Sequence, residues 1–373
     1  MWVTWRGAMR SALYGPAGFY ARGEPPALHF RTSVHTSARY GEPFSCLLSA
    51  VDRALGHPAR LDLVDVGAGR GELIGQVLAA ASGELARRIA AQAVEITPRP
   101  AGLDPRIRWC SSPPARITGL VIASEWLDNI PLDVAELTRA GPRLVLVEPA
   151  TGDERHGSAP SQPDLAWLRS WWPLGELGER AEIGRPRCEA WAGVIRRISR
   201  GVAVAADYGH TKAARPPWGT LTGYLAGRVV PAVPDGSRDI TAHVALDACA
   251  AAGRTAGAGA TLLTTQREVL RALGIAGRRP ALALADTDPR RYVQELCLAT
   301  EEADLIDAGG LGGFGWLVQA VGMELPAVLR RRRCQCRWAG VVPAPAGTTR
   351  KPVSLCRRCR RVTVPVPLAP VTA

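Results

Sequence analysis

The sequence predicts an α/β fold, a doubly wound and mostly parallel sheet with helices on both faces. Three observations predict it. Short apolar runs such as "ARLDLVDV", "AAQAVEI", "ITGLVIAS" and "GVAVAADYG" are nearly continuous in hydrophobicity, as strands buried on both faces are. Segments with apolar residues at helical spacing lie between them. The first run passes into the glycines of "DVGAGRGEL" and then into a helical pattern, the order of a strand–turn–helix unit.

The elements follow in order. Residues 1–60 are rich in turn formers and end in "EPFSCLLSAVDRALG", where Phe44, Leu47, Leu48, Val51 and Leu55 share a helix face and Gly56 and Pro58 stop it. "ARLDLVDV" is a strand. "GELIGQVLAAAS" is a helix with Leu73, Ile74, Val77 and Leu78 on one side. "AAQAVEI", "RIRWC" and "ITGLVIAS" read as the second, third and fourth strands, and "GVAVAADYG" as another. Between Pro149 and Arg200 the Trp-rich "DLAWLRSWWPLGELGERAEI" reads as a helical insertion. Trp167, Trp171 and Leu174 repeat there at helical spacing, as core residues do. "ITAHVALDACAAAG" and "QREVLRALG" are expected to be helices, and a glycine-rich "GGLGGFGWLVQ" follows. The expected organisation is an N-terminal helical cap at 1–60 that contributes to a ligand cleft, a main domain at 61–324 with an insertion at about 150–200, and a disordered tail at 325–373.

With 373 residues, 47% of them hydrophobic, the chain can bury a sizeable core. No stretch approaches 18 consecutive apolar residues, so no membrane span is expected. The opening "MWVTWRGAMRSAL" lacks the apolar run of a secretory signal. The expectation is a soluble cytoplasmic protein. The net charge of +12 is unevenly placed: residues 325–373 hold eleven Arg and Lys and no acid, which leaves about +1 on residues 1–324. The basic balance therefore describes a solvated tail, through which nucleic acid or an acidic partner is the lesser expectation. Cys46, Cys110, Cys188, Cys249 and Cys297 are expected to be small buried hydrophobes of a reducing compartment. Cys334, Cys336, Cys356 and Cys359 have a spacing that a four-thiolate zinc site could use. A disordered extension is the preferred reading, and no metal is expected in the main domain.

The glycines of "DVGAGRGEL" run G-x-G-x-G, at Gly67, Gly69 and Gly71. They bring bare backbone N–H groups close to a ligand. A dinucleotide site would place glycine where Glu72 stands, and a carboxylate faces a pyrophosphate poorly. With Asp65 two residues before the first glycine, the turn suits a ligand carrying positive charge, S-adenosylmethionine rather than NAD. Glu95, at the tip of the second strand and twenty-four residues after Gly71, can accept both hydroxyls of a ribose. At the tip of the fourth strand, "ASEWLDNIPLD" offers Glu125 and Asp128, which could grip a guanidinium; alternatively Asp128 caps a turn.

With these blocks in order, the chain resembles the MidA-type class I methyltransferases, related to the mitochondrial complex I assembly methyltransferase. The resemblance covers about residues 11–322. It rests on "GFY" (18–20), "HFRTSVHTS" (29–37), "DVGAGRGEL", "VEI", "SEWLDNIPLDV", "DYG" (207–209), "GTLTGY" (219–224) and "DGSRDITAHV" (235–244). It implies a Rossmann-like seven-stranded sheet, S-adenosylmethionine as cofactor, and methyl transfer to an arginine of a protein such as a respiratory-complex subunit. It adds Thr32, Ser33 and Ser124 to the expected cofactor cleft; many relatives carry Asn at the position of Ser124. It adds Asp207 and Tyr208 at a strand tip and a polar cluster of Asp239, Thr241 and His243. Glu125, Asp128 and His243 are the expected catalytic residues, with a structural histidine on a helix as the alternative for His243. Transfer to a small molecule and a cofactor-binding assembly factor without turnover remain as alternatives.

Overall fold

The computed structural model describes residues 1–22 and 32–330, and three short strands at 341–342, 353–355 and 362–363. The chain divides into two units, Met1–Leu329 and Arg330–Ala373. In the second, the three short strands pair antiparallel in chain order. Cys334, Cys336, Cys356 and Cys359, and most of the tail expected to be disordered, lie outside the described residues.

Seven strands form the central sheet: β1 (Leu61–Val66), β2 (Ile89–Val94), β3 (Arg108–Cys110), β4 (Ile117–Ser124), β5 (Ile198–Asp207), β6 (Ala260–Thr265) and β7 (Gly315–Val321). Their order is β6-β7-β5-β4-β1-β2-β3. β1 to β5 run parallel, and β7 is antiparallel to both its neighbours. The chain winds outward through β2 and β3, then crosses back to β4. The switch point therefore lies between β1 and β4, where open α/β sheets open a crevice.

The lack of alternation in the strands has a direct cause. Leu61, Leu63, Leu120, Ile122, Val202 and Val204 face one layer, against the helices Gly41–Leu55, Glu72–Ala80 and Gln266–Ala272. Val64, Val66, Val121, Ala123, Ala203 and Ala205 face the other, against Gln162–Trp171, Arg185–Ile195 and Leu246–Thr255. Both faces are dry, so both sets are apolar.

Beside this Rossmann-like core lies an antiparallel sheet of five strands: Val3–Thr4, Asp133–Thr138, Gly141–Val147, Glu154–His156 and Arg180–Ile183. The helical insertion of about 150–200 holds the helices Gln162–Trp171 and Arg185–Ile195, and also two of these strands. Trp167 and Trp172 are buried, and Trp171 and Leu174 pack against the same cluster. The "LTRAG" hairpin that joins Asp133–Thr138 to Gly141–Val147 carries only a short period-2 pattern, too weak to mark strands in the sequence. "ITAHVALDACAAAG" also departs from expectation. Only Leu246–Thr255 is helical; Asp239–Thr241 and Val244–Ala245 are strands, tied to Thr222–Tyr224 and Gly209–His210.

Cysteine placement corrects a further expectation. Cys188 and Cys249 are buried, but Cys46 and Cys297 are exposed and Cys110 is intermediate. Cys46 sits two residues after buried Phe44 in the Gly41–Leu55 helix, and two positions are nearly half a turn of helix.

Gln319 is a fully buried polar side chain in β7. Its Oε1 accepts from Trp191 Nε1 at 2.7 Å, and its Nε2 donates to the Ala250 carbonyl at 2.9 Å. It thereby joins the Arg185–Ile195 and Leu246–Thr255 helices to the sheet. Gln319→Leu leaves the buried Trp191 Nε1–H without its acceptor, and chemical denaturation is expected to show a loss of about 1–3 kcal/mol.

Candidate active site

β1 ends in the glycine turn, where Gly67, Gly69 and Gly71 have φ of +72°, +59° and +84°. Side chains adopt this backbone only with strain. A Cβ at Gly67 would also stand 2.5 Å from Trp126 Cδ1. The Gly69 N–H donates to Glu95 Oε2 at 3.1 Å. Glu95 Oε1 accepts from the N–H groups of Ile96 and Thr97 at 2.6 and 3.2 Å. The carboxylate at the tip of β2 is thus folded back onto the glycine turn, half-buried, with lone pairs left over for further donors. Asp65 is buried within β1, and its Oδ2 has no partner. Burial raises its pKa to about 7, with Glu72 and Glu95 adding to the rise.

β4 ends at half-buried Ser124, and Glu125 follows in the left-handed region at φ +51°. Non-glycine residues hold such conformations only where their surroundings dictate them. The Glu125 N–H donates to the Ala206 carbonyl at 2.8 Å, and its own carbonyl accepts from Asn129 Nδ2 at 3.1 Å. Oε1 accepts from the Ser33 N–H at 3.1 Å, while Oε2 is sealed from solvent without a partner. Burial raises this carboxyl to about 8.

The N-terminal segment reaches this point through Thr32 and Ser33. Thr32 is the N-cap of the Ser33–Thr36 helix. Ser33 is fully buried; its hydroxyl accepts from Gln266 Nε2 at 3.1 Å. Gln266 also donates to the Leu305 carbonyl, and its Oε1 accepts from Tyr40 and Trp316. Gln266 therefore positions Ser33, and Ser33 positions Glu125.

Three more carboxyls gather below. Asp207, at the tip of β5, accepts the N–H groups of Leu127 and Asp128 on Oδ2, at 2.9 and 3.2 Å. It shapes the loop after β4. Asp128 is buried, and its Oδ2 accepts from the Thr241 hydroxyl at 3.0 Å. Its backbone N–H is held by Asp207, and its carboxyl also feels the backbone N–H groups of Asn129 and of Asp128 itself. Asp207 Oδ1 and Asp128 Oδ1 are sealed and unpartnered. The Tyr20 hydroxyl lies 3.2 Å from Asp239 Oδ1 and 3.0 Å from Asn129 Oδ1. Burial raises Asp128, Asp207 and Asp239, the last to about 7.

Arg187 was missed by sequence reasoning. It is 1% exposed and stands on the Arg185–Ile195 helix. Its N–H groups donate to the carbonyls of Ile130 at 3.2 Å, Ala242 at 2.7 Å, His243 at 3.1 Å, and Asp128. The available signal was its position four residues before buried Trp191, on the inward helix face. His243 lies between two short strands, not on a helix, and is exposed. Its N–H donates to Thr220 Oγ1 at 2.8 Å, and its ring stacks on Tyr208 at 6.0 Å. It stands apart from the buried carboxyls, on the wall of a neighbouring cavity. Among the described residues, no cluster of His, Cys, Asp or Glu could hold a metal. No helix there is long and apolar enough to cross a membrane.

Residues 48–264 match the family described as "Putative S-adenosyl-L-methionine-dependent methyltransferase". A COG1565 superfamily member from Burkholderia thailandensis, bound to S-adenosyl-homocysteine, is similar in structure, with a TM-score of 0.72 and 24% identity over 88% of this chain and 91% of that one. A second COG1565 superfamily structure from the same organism has a TM-score of 0.71 and 25% identity, over 88% of this chain and 90% of that one. No curated protein matches the sequence.

The raised carboxyls carry a pH dependence. A group whose pKa rises on folding stabilises the fold below its ordinary value and loses that contribution as pH climbs through the folded one. For Glu125 the window runs from about 4.5 to about 8. Without ligand, thermal melts are expected to fall across it, and Glu125→Gln is expected to make the slope shallower.

Proposed function

Because the chain belongs to the family of S-adenosyl-L-methionine-dependent methyltransferases, we propose that it is a MidA-type enzyme of the cytoplasm that methylates an arginine of a protein. The observation that carries this reading is the set of sealed carboxylate oxygens without partners, on Glu125, Asp128 and Asp207. Unpartnered buried acids are costly, and a bound cation relieves the cost. A guanidinium is a cation whose planar donors match carboxylates.

The donor half of the site fits the cofactor. The bare backbone at Gly67, Gly69 and Gly71 admits close approach, the buried Asp65 suits a positively charged ligand, and Glu95 keeps free lone pairs for ribose hydroxyls. Ser124 would line the cofactor cleft, with the buried Thr32 and Ser33 supporting it from behind. When bound, S-adenosylmethionine supplies a methyl group already activated by the positive sulfonium. The chain's own residues then have to align the acceptor and exclude water. Glu125 would orient the guanidinium through Oε2, and an incoming cation favours the ionised form of this carboxyl. Asp128 would hold a second nitrogen or accept the departing proton. Partial burial of its ring and the field of Arg187 lower the pKa of His243, and its exposed edge would let it hand a proton to solvent.

Two measurements test this. In Gly69→Val the side chain must adopt a positive φ, and calorimetry is expected to show S-adenosylhomocysteine affinity reduced at least about tenfold. Glu125→Gln is expected to bind S-adenosylhomocysteine as the parent does while transfer of radiolabelled methyl to lysate protein falls about 10²–10⁴-fold. Label entering only small molecules would replace protein arginine as acceptor, and no label from the parent protein would remove turnover.

A further inference from the structure

The glycine-rich stretch "GGLGGFGWLVQ" has no part in the donor site, yet it borders a cavity of about 490 Å³ on the same edge of the sheet. Tyr208 follows β5 directly and Phe314 directly precedes β7. Asp207 and Gly315 are register partners, so the two rings leave the sheet side by side, with centroids 4.2 Å apart. His243 also stacks on Tyr208, with centroids 6.0 Å apart. Gly309, Gly310 and Gly313 line the cavity without side chains, in a loop closed by Gly310 N–H to Asp307 carbonyl and Gly313 N–H to Gly310 carbonyl bonds of 3.1 and 3.0 Å. Asp304 and Asp307 also line it, and among the described residues no Lys or Arg does.

Each feature selects a class of ligand. Aromatic walls take an apolar stem, and their faces attract a cation. Carboxylates at the mouth repel anions. The cavity is set by β5 and β7, one strand beyond Glu125 at the tip of β4, and on the side away from the glycine turn and Glu95. Tyr208 is the cavity residue nearest in sequence to the buried Asp207; burial, and after it the charge of Glu125, raises its hydroxyl.

We infer that the cavity walled by Tyr208, His243 and Phe314 is the acceptor-binding site, taking an extended alkyl stem with a cationic head, with Asp307 drawing the cation in at the mouth. The inference rests on the methyl-transfer reading above and adds to it where the acceptor enters and which residues select it. Gly309 offers a clean way to close the site. Its φ lies outside the left-handed region, and a Cβ there would meet nothing nearer than Asp307 Oδ2 at 3.7 Å, so Gly309→Leu fills the cavity without straining the loop.

The test titrates pentylguanidinium, and its neutral counterpart pentylurea, into the full chain saturated with S-adenosylhomocysteine. The guanidinium is expected to bind at least about tenfold more tightly than the urea. Gly309→Leu is expected to weaken the guanidinium at least about tenfold, and Asp307→Asn about threefold, with S-adenosylhomocysteine affinity and melting temperature unchanged in both. Equal affinity for the two probes, or full guanidinium binding by a folded Gly309→Leu, overturns the inference while the donor site stands. Failure of the parent protein to bind S-adenosylhomocysteine overturns both.

Discussion

The site depends on one buried guanidinium. Among the described residues Arg187 is the one cation in the buried set, and Asp128, Asp207, Asp239 and Glu182 are buried with it. Its donors go to four backbone carbonyls, those of Asp128, Ile130, Ala242 and His243. That choice has two consequences. It ties the loop after β4 and the segment before the Leu246–Thr255 helix to the Arg185–Ile195 helix, because each carbonyl would be costly to leave unpaired. It also offsets negative charge through its field while leaving carboxylate oxygens free. An arginine loses its proton too reluctantly to escape that duty when desolvated.

The strain at Glu125 follows from the same arrangement. A left-handed glutamate at the end of β4 is tolerable because three separate elements hold it: β5 through Ala206, the loop through Asn129, and the N-terminal segment through Ser33. Asp207 organises the loop from below by accepting two successive N–H groups. The carboxyl is thereby aimed by backbone contacts more than by its own rotamer freedom. Burial raises its pKa to about 8, and any positive charge brought close to it would favour the ionised form.

The acids, the glycine turn and the aromatic pair are laid out along one sheet edge. Glu95 and the glycine turn lie at the ends of β2 and β1, Glu125 at β4, and Tyr208 and Phe314 at β5 and β7. This ordering is a product of the topology: the switch between β1 and β4 opens the crevice, and the antiparallel β7 brings its beginning to the edge where the parallel strands end. The N-terminal segment enters the site through the hydrogen bonds of Gln266, a residue more than two hundred positions away from Ser33 in sequence.

How much of this was legible follows from the range of each interaction. The apolar runs of β1, β2, β4 and β5 declared a doubly covered parallel sheet, and three alternating glycines before a helix declared a close-approach turn, because strand burial and positive φ are local demands written in local residue types. Glu95 and Glu125 were legible for the same reason, as acids at strand ends. The second sheet was not, since its short strands carry weak patterns and gain their partners from segments as distant as Val3 and Val147. Arg187 and Gln266 looked like ordinary polar helix residues. Only the tertiary fold, by withdrawing water from them and surrounding them with carbonyls and hydroxyls, made them the fixed points of the site.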